Sequence, residues 1–152
     1  MDFIVGLPRT QRGYDSIWVI VNRFTKVAHF IPVKTHYKGP KLAQLYMEKI
    51  VCLHGVPKKI MSDRGTQFMS HFLQQVHSSL GTKLNFSTAY HPQTDGPTER
   101  TNQILEDMLR ACPLQYGTSW DKSLTYAEFS YNNSYQKSLN MAPFEAFVWT
   151  KV

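Results

Sequence analysis

Ile17-Trp18-Val19-Ile20-Val21 is an unbroken run of β-branched and aromatic residues. A strand with one wet face alternates apolar and polar residues. This run has no polar member, the mark of a strand buried on both faces. Residues 1–6 before it read as another strand, cut short at its beginning and ended by Gly6-Leu7-Pro8. A polar turn containing Gly13 leads from Arg9 to Asp15, and Asn22 to Lys26 turn the chain again. Residues 27–33 read as a third strand, with Pro32 placed late, as suits a strand end. Three strands joined by short turns predict an antiparallel meander.

Beyond the meander the period changes from two to 3.6. Leu42, Leu45, Tyr46, Ile50 and Leu53 repeat at helical spacing over residues 40–53, with Pro40 in the first turn and Gly55 and Pro57 after the last. Residues 59–61 read as a short fourth strand carrying Ser62-Asp63 at its C-terminal end. Residues 67–80 read as a helix, 83–86 as a fifth strand, 87–98 as a loop, and 98–111 as a helix. A last helix over residues 119–133 places Trp120, Leu124, Ala127 and Tyr131 on one face, with Tyr126 and Phe129 on others, so it is buried on two sides or meets a partner chain. The order β-β-β-α-β-α-β-α-α predicts an α/β domain, a five-stranded mixed sheet flanked by helices.

The 152 residues suit one domain. With 42% hydrophobic and 13% aromatic residues the composition is that of a globular chain. Seventeen Lys and Arg against eleven Asp and Glu give a net charge of +6, compatible with a polyanionic partner such as nucleic acid or with plain solubility. The six histidines and two cysteines form no zinc-ligand spacing, and Cys52 and Cys112 read as small core residues. No apolar run is long enough to span a membrane, and no signal peptide is visible.

Three acids stand out: Asp2 on the first strand, Asp63 at the end of the fourth, and Glu99 at the start of a helix. Thirty-five residues separate Asp63 from Glu99. Glu99 points roughly 150° away from the apolar stripe of its helix, which is its open face. Each acid has an ordinary structural reading: Glu99 as a solvated charge near a helix N-terminus, Asp63 as a turn residue. Together, two Asp and one Glu on three elements can hold two Mg²⁺ ions, a pair that cuts and joins phosphodiester bonds. They are the candidate catalytic and metal-ligating residues.

Met1-Asp2-Phe3-Ile4-Val5-Gly6-Leu7-Pro8, Val21-Asn22-Arg23-Phe24-Thr25-Lys26-Val27-Ala28-His29-Phe30, Leu53-His54-Gly55-Val56-Pro57, Ser62-Asp63-Arg64-Gly65-Thr66-Gln67-Phe68, Thr88-Ala89-Tyr90-His91-Pro92-Gln93-Thr94-Asp95-Gly96 and Glu99-Arg100-Thr101-Asn102-Gln103 strongly resemble the integrase catalytic core of gypsy-type LTR retrotransposons. So do Tyr131-Asn132-Asn133-Ser134-Tyr135 and Met141-Ala142-Pro143-Phe144-Glu145-Ala146. The resemblance covers essentially the whole chain. It implies a ribonuclease H-like fold, a D,D-35-E site of Asp2, Asp63 and Glu99, and two Mg²⁺ ions with Mn²⁺ as substitute. It implies 3′-end processing of element cDNA and strand transfer into target DNA, hence an endonuclease and polynucleotidyl transferase working in the nucleus, and otherwise a cytoplasmic particle. The implied partners are DNA and further copies of the chain, with no membrane and no small-molecule cofactor.

Tyr90, His91, Pro92 and Gln93 match a segment resembling the mobile active-site loop of integrases, where ring side chains could stack on an unpaired DNA end; the other reading is a Pro-rich connector. Lys58, Lys59, Arg64 and Arg100 flank the acids and could touch phosphates, or are solvated surface charges. Asn22 stands where the family more often has Asp, Pro97 where Gln is usual, and Trp149-Thr150-Lys151 where a Tyr-Gly-Arg-like turn is common. The family pattern extends upstream of Met1, so the expectation is a core clipped at its first strand, with Asp2 on a frayed end and with the zinc-binding N-terminal and the C-terminal domains absent. Two further readings share the pattern. One is a catalytically inactive relic or co-opted domain that only binds nucleic acid or protein. The other is a ribonuclease H-type nuclease, against which the Tyr-His-Pro-Gln loop and the 35-residue spacing speak.

Overall fold

A computed structural model of the chain describes residues 1–57, 60–62, 64, 66–80 and 120–151. They fall in two compact units, one of Met1–Thr35 with Gly96–Val152 and the other of His36–Asp95.

The first unit is built on the expected meander. Strands β1 (Asp2–Ile4), β2 (Ser16–Val21) and β3 (Ala28–Val33) form a sheet of order β1-β2-β3, antiparallel throughout. Asp2 pairs with Val19, and Ser16 with Val33. Ile17, Trp18 and Val19 are fully buried, so both faces of β2 are covered, as its continuous apolar run requires. Each such large side chain contributes about 1.5–3 kcal/mol by leaving water. β1 is shorter than expected because Gly6, at φ +76°, turns the chain away. Its first residue, Asp2, holds a paired ladder position beside a buried Met1.

Helix α4 (Trp120–Asn132) lies on this sheet. Trp120, Leu124 and Tyr131 join Ile4, Ile17, Val19, Ala28 and Phe30 in one core, with Ala127 packed against it. Its second face is not buried: Tyr126 and Phe129 are exposed. Phe129 lies 6.1 Å from Phe144, ring centroid to centroid, on helix α5 (Pro143–Lys151). The sequence reading has no helix here. Pro143 opens it, and Glu145 accepts the Ala142 N–H at 2.8 Å, as a third-position glutamate does in a capping box.

α4 also seals the outer flank of β3. Asn132 is fully buried; its amide accepts the Ala28 N–H and donates to the Ala28 carbonyl, both at 2.8 Å. One helical turn earlier, Glu128 accepts the Phe30 N–H at 2.8 Å. The next residue in that alternation is Pro32, which has no N–H to satisfy. Open strand edges invite pairing with other chains, and this one offers no N–H along its flank.

At the base of the β2–β3 hairpin, Asp15 Oδ1 accepts the Thr35 N–H at 2.8 Å and the Ser16 hydroxyl at 3.1 Å. Its carboxyl is held below the ordinary 3.8, first by the Thr35 side chain; burial opposes this and is outweighed with help from the Thr35 amide, the Ser16 hydroxyl and the charge of Arg9.

The second unit pairs two helices. α1 (Gly39–Tyr46) runs into a π-helical segment (Met47–Val51) and a last turn, α2 (Cys52–His54); α3 (Thr66–Ser79) packs against α1. Leu42, Ala43, Tyr46 and Ile50 are buried on the first helix, Met69, Phe72 and Val76 on the other. Tyr46 meets Phe72 edge to face with centroids 5.3 Å apart, and burial pushes its phenol above the ordinary range. Burial also lowers the pKa of His77.

Two expectations fail on this helix. Leu53 is 52% exposed, and Cys52 is exposed rather than a core residue. The i→i+5 ladder of the π segment turns less per residue than an α-helix, so residues after Val51 lag behind the face that Leu42 and Tyr46 define. Cys112 lies outside the described residues. The sheet among the described residues has three strands, not five. Ile60 and Met61 of the expected fourth strand carry no strand pairing, while Lys59 and the expected fifth strand, 83–86, lie outside the described residues.

Candidate active site

Of the three candidate acids, Asp2 is described. It opens β1, half-buried, opposite Val19, and its Oδ1 accepts the N–H of Phe3 at 2.8 Å. Two local constraints therefore fix it: the ladder holds its backbone, and the bond to the next amide orients the carboxylate. Phe3 stacks on Trp18 with centroids 5.5 Å apart and planes 6° from parallel, which ties this strand end into the sheet. Asp63 and Glu99 lie outside the described residues, as do the 98–111 helix and Pro97. Among the described residues no three His, Cys, Asp or Glu side chains come together, and no helix is long and apolar enough to cross a membrane.

Of the candidate DNA contacts, Arg64 is described; Lys58, Lys59, Tyr90, His91, Gln93 and Arg100 lie outside the described residues. Arg64 donates its backbone N–H to the Ser62 hydroxyl at 3.2 Å, a local turn that leads toward α3. Its guanidinium carbon lies 5.4 Å from the centroid of the Phe68 ring. Phe68 in turn stacks on Phe72, 6.1 Å away, so the head of Arg64 rests on an aromatic pair anchored in the core of its unit. Such a contact is worth about 0.5–1 kcal/mol at a partly exposed position.

Asn22, a departure from the family pattern, has a clear structural task. Its side-chain oxygen accepts the N–H groups of Phe24 and Thr25 at 2.9 and 3.0 Å and so shapes the β2–β3 turn. An aspartate oxygen could accept the same bonds; the amide does so without a charge. The sequence reading treats residues 22–26 as a plain turn. A phenylalanine inside a polar turn was the available signal that this one displays something.

No protein-family model matches the chain. Curated relatives do: the chain is 34% identical over 145 residues to the transposon Tf2-3 and Tf2-4 polyproteins of Schizosaccharomyces pombe, matching 95% of its own length. It spans 11% of the length of those polyproteins. Among solved structures, the HTLV-2 integrase catalytic core domain in complex with magnesium, in its trimeric form, aligns with a TM-score of 0.63 at 21% identity, over 96% of this chain and 93% of that one. The simian T-cell lymphotropic virus intasome in complex with the PP2A regulatory subunit B56 gamma aligns with a TM-score of 0.66 at 20% identity, over 96% of this chain and 52% of that one. The chain is thus homologous to a segment of the Tf2 transposon polyproteins, and its fold is the ribonuclease H-like fold of retroviral integrase catalytic cores.

Proposed function

We propose that this chain is the catalytic core of a gypsy-type LTR-retrotransposon integrase, a polynucleotidyl transferase and endonuclease that processes 3′ ends of element cDNA and transfers them into target DNA. The observation that carries this is the 34% identity to transposon polyproteins along 95% of the chain, joined to an integrase-core fold. On this reading residues 1–152 are one core domain of a larger polyprotein, and the core acts as an oligomer on DNA in the nucleus.

Asp2, Asp63 and Glu99 are the proposed metal ligands. Two aspartates and one glutamate are hard oxygen donors, the set that suits Mg²⁺ and also admits Mn²⁺. The HTLV-2 core was solved with magnesium, which supports a divalent ion here. A bound ion pair would supply an activated attacking hydroxyl and a stabilised leaving oxygen. The chain's own contribution at Asp2 is orientation, through the ladder and the Phe3 amide. Arg64, placed over Phe68, is a proposed phosphate contact by the chemistry of its guanidinium. Lys58, Lys59 and Arg100 are proposed further phosphate contacts, and Tyr90, His91 and Gln93 contacts to the DNA end.

A disintegration assay tests the reading, since it asks only for rejoining of a branched DNA. Metal-dependent joining by this chain is expected. Asp63→Asn is expected to lower it on the order of 10³-fold while leaving the fold intact, the loss of several kcal/mol of transition-state stabilisation. Joining that persists in that variant overturns the metal-ligand assignment. Silence of the unmutated chain in Mg²⁺ and in Mn²⁺ overturns the enzymatic reading.

A further inference from the structure

The turn between β2 and β3 inverts the usual order of burial. Thr25 is 5% exposed, whereas its neighbour Phe24 is 83% exposed. A turn that only reversed the chain would put the ring inward and the hydroxyl outward. Single exposed apolar residues are common on protein surfaces. This one differs because the turn is fixed around it. Asn22 Oδ1 holds the N–H groups of Phe24 and Thr25; the Asn22 carbonyl accepts the Lys26 N–H at 2.9 Å; the Asn22 N–H reaches the Val27 carbonyl at 2.9 Å. Lys26 takes φ +60°, the left-handed conformation that closes the loop. The ring is thus displayed by a preorganised turn, and little ordering entropy remains to be lost when something stacks on it.

Along the sequence, the charge flanking the ring has one sign. Arg23 and Lys26 flank Phe24, and the sequence has no Asp or Glu between Asp15 and Glu48. Among the described residues neither cation has a carboxylate partner. Glu128, which meets β3 further along, is engaged there by the Phe30 N–H and lies 3.7 Å from His29. Asn22 supplies the turn's oxygen acceptor without a negative charge.

We propose that Arg23, Phe24 and Lys26 form a contact site for an unpaired nucleic-acid strand: a base stacks on the Phe24 ring while Arg23 and Lys26 take the flanking phosphates. The proposal rests on the nucleic-acid reading above and adds to it a surface on the β2–β3 tip. Stacking requires an open base face, so the site favours a single strand or frayed end over intact duplex, whose bases already cover one another. An acidic protein segment would use the two cations but would gain nothing specific from a flat aromatic face.

Fluorescence anisotropy with a labelled mixed-sequence DNA oligonucleotide, single-stranded and as duplex, tests this in EDTA at two salt concentrations. Phe24→Ala is expected to raise the single-strand Kd at least about 5-fold and to leave duplex binding unchanged, while Phe24→Trp retains or tightens it. Arg23→Gln with Lys26→Asn is expected to lower the salt slope for the single strand by about 1.4, two phosphate contacts' worth. Asn tolerates the left-handed backbone at that position, and an unchanged thermal midpoint confirms that each variant is folded. An unchanged single-strand Kd in folded Phe24→Ala, an equal loss on duplex, or no oligonucleotide binding by the unmutated chain overturns the proposal. Joining activity in Mg²⁺, measured beside it, keeps the two readings apart. Joining with Phe24-independent binding removes the tip site alone. Phe24-dependent binding without joining removes the enzymatic reading alone.

Discussion

The flank and the tip of one hairpin are finished in opposite ways. Along the flank of β3 every outward N–H is taken, by Asn132 and Glu128, or is missing, at Pro32. At the tip a bare aromatic ring faces water between two cations. Both regions use side-chain amides or carboxylates on backbone groups, so the chemistry is the same and the purpose differs. On the flank it removes an edge from use; at the tip it presents a surface. The base of the hairpin adds a contrast in charge. Asp15 and Asn22 each accept two hydrogen bonds on one oxygen, one as an anion and the other as a neutral amide.

The largest effect is expected from breaking the flank. Asn132→Ala strips a buried N–H and a buried carbonyl of their partners and should cost about 2–4 kcal/mol in chemical unfolding. A cost below about 1 kcal/mol would mean that water replaces the amide and that the flank is not sealed. The tip comes next. Asn22→Ala should cost about 1 kcal/mol, near 2–4 °C in Tm for a chain this size, and should weaken single-strand binding because the ring loses its fixed setting. Asn22→Asp sharpens the contrast: the turn bonds persist and Tm holds, yet single-strand binding weakens several-fold as a charge returns beside the phosphates. Equal binding by Asn22→Asp would show that the neutral amide has no electrostatic role.

The smallest effect is in acid. Because the Asp15 carboxyl titrates below its ordinary 3.8, its contribution is present at neutral pH and is lost as the pH falls through that range. Asp15→Asn should flatten this limb by less than about 1 kcal/mol, given its partial exposure. His77 acts earlier and in the same direction. Its folded pKa lies below the ordinary 6.5, so stability falls once the pH drops under that value and the unfolded chain takes up the proton first. Urea midpoints measured from pH 7 to pH 3 would resolve the two steps. The tip, with Asn22, has no acidic group to titrate.

What sequence could show here follows from how local each signal is. The β2 run, the α1 stripe as far as Ile50, the 67–80 helix and the α4 face from Trp120 to Tyr131 are written in consecutive residues, and the structure has them. The pairing of Asn132 with Ala28 joins residues far apart in the chain, and no local period encodes it. α5 escaped because Pro143-Phe144-Glu145-Ala146-Phe147-Val148-Trp149 is apolar on nearly all sides and has no stripe to read; only its Pro and Glu start signals were available. Leu53 fits an ideal α-helical stripe, but a π turn is not visible in a pattern that assumes 3.6 residues throughout. For the candidate site, the strand position of Asp2 was legible, whereas its bond to the Phe3 amide was not.

The π segment also bears on chain length. Over Met47–Val51 each backbone bond spans one residue more than an α-helical bond does. The segment therefore accommodates a one-residue length difference inside a helix. A homologue one residue shorter there could close the ladder as plain α-helix, keep the Leu42 and Tyr46 face against α3, and merely turn its last residues to a new heading. A deletion within α3, which has no such slack, would instead rotate Phe72 and Val76 out of register with that face.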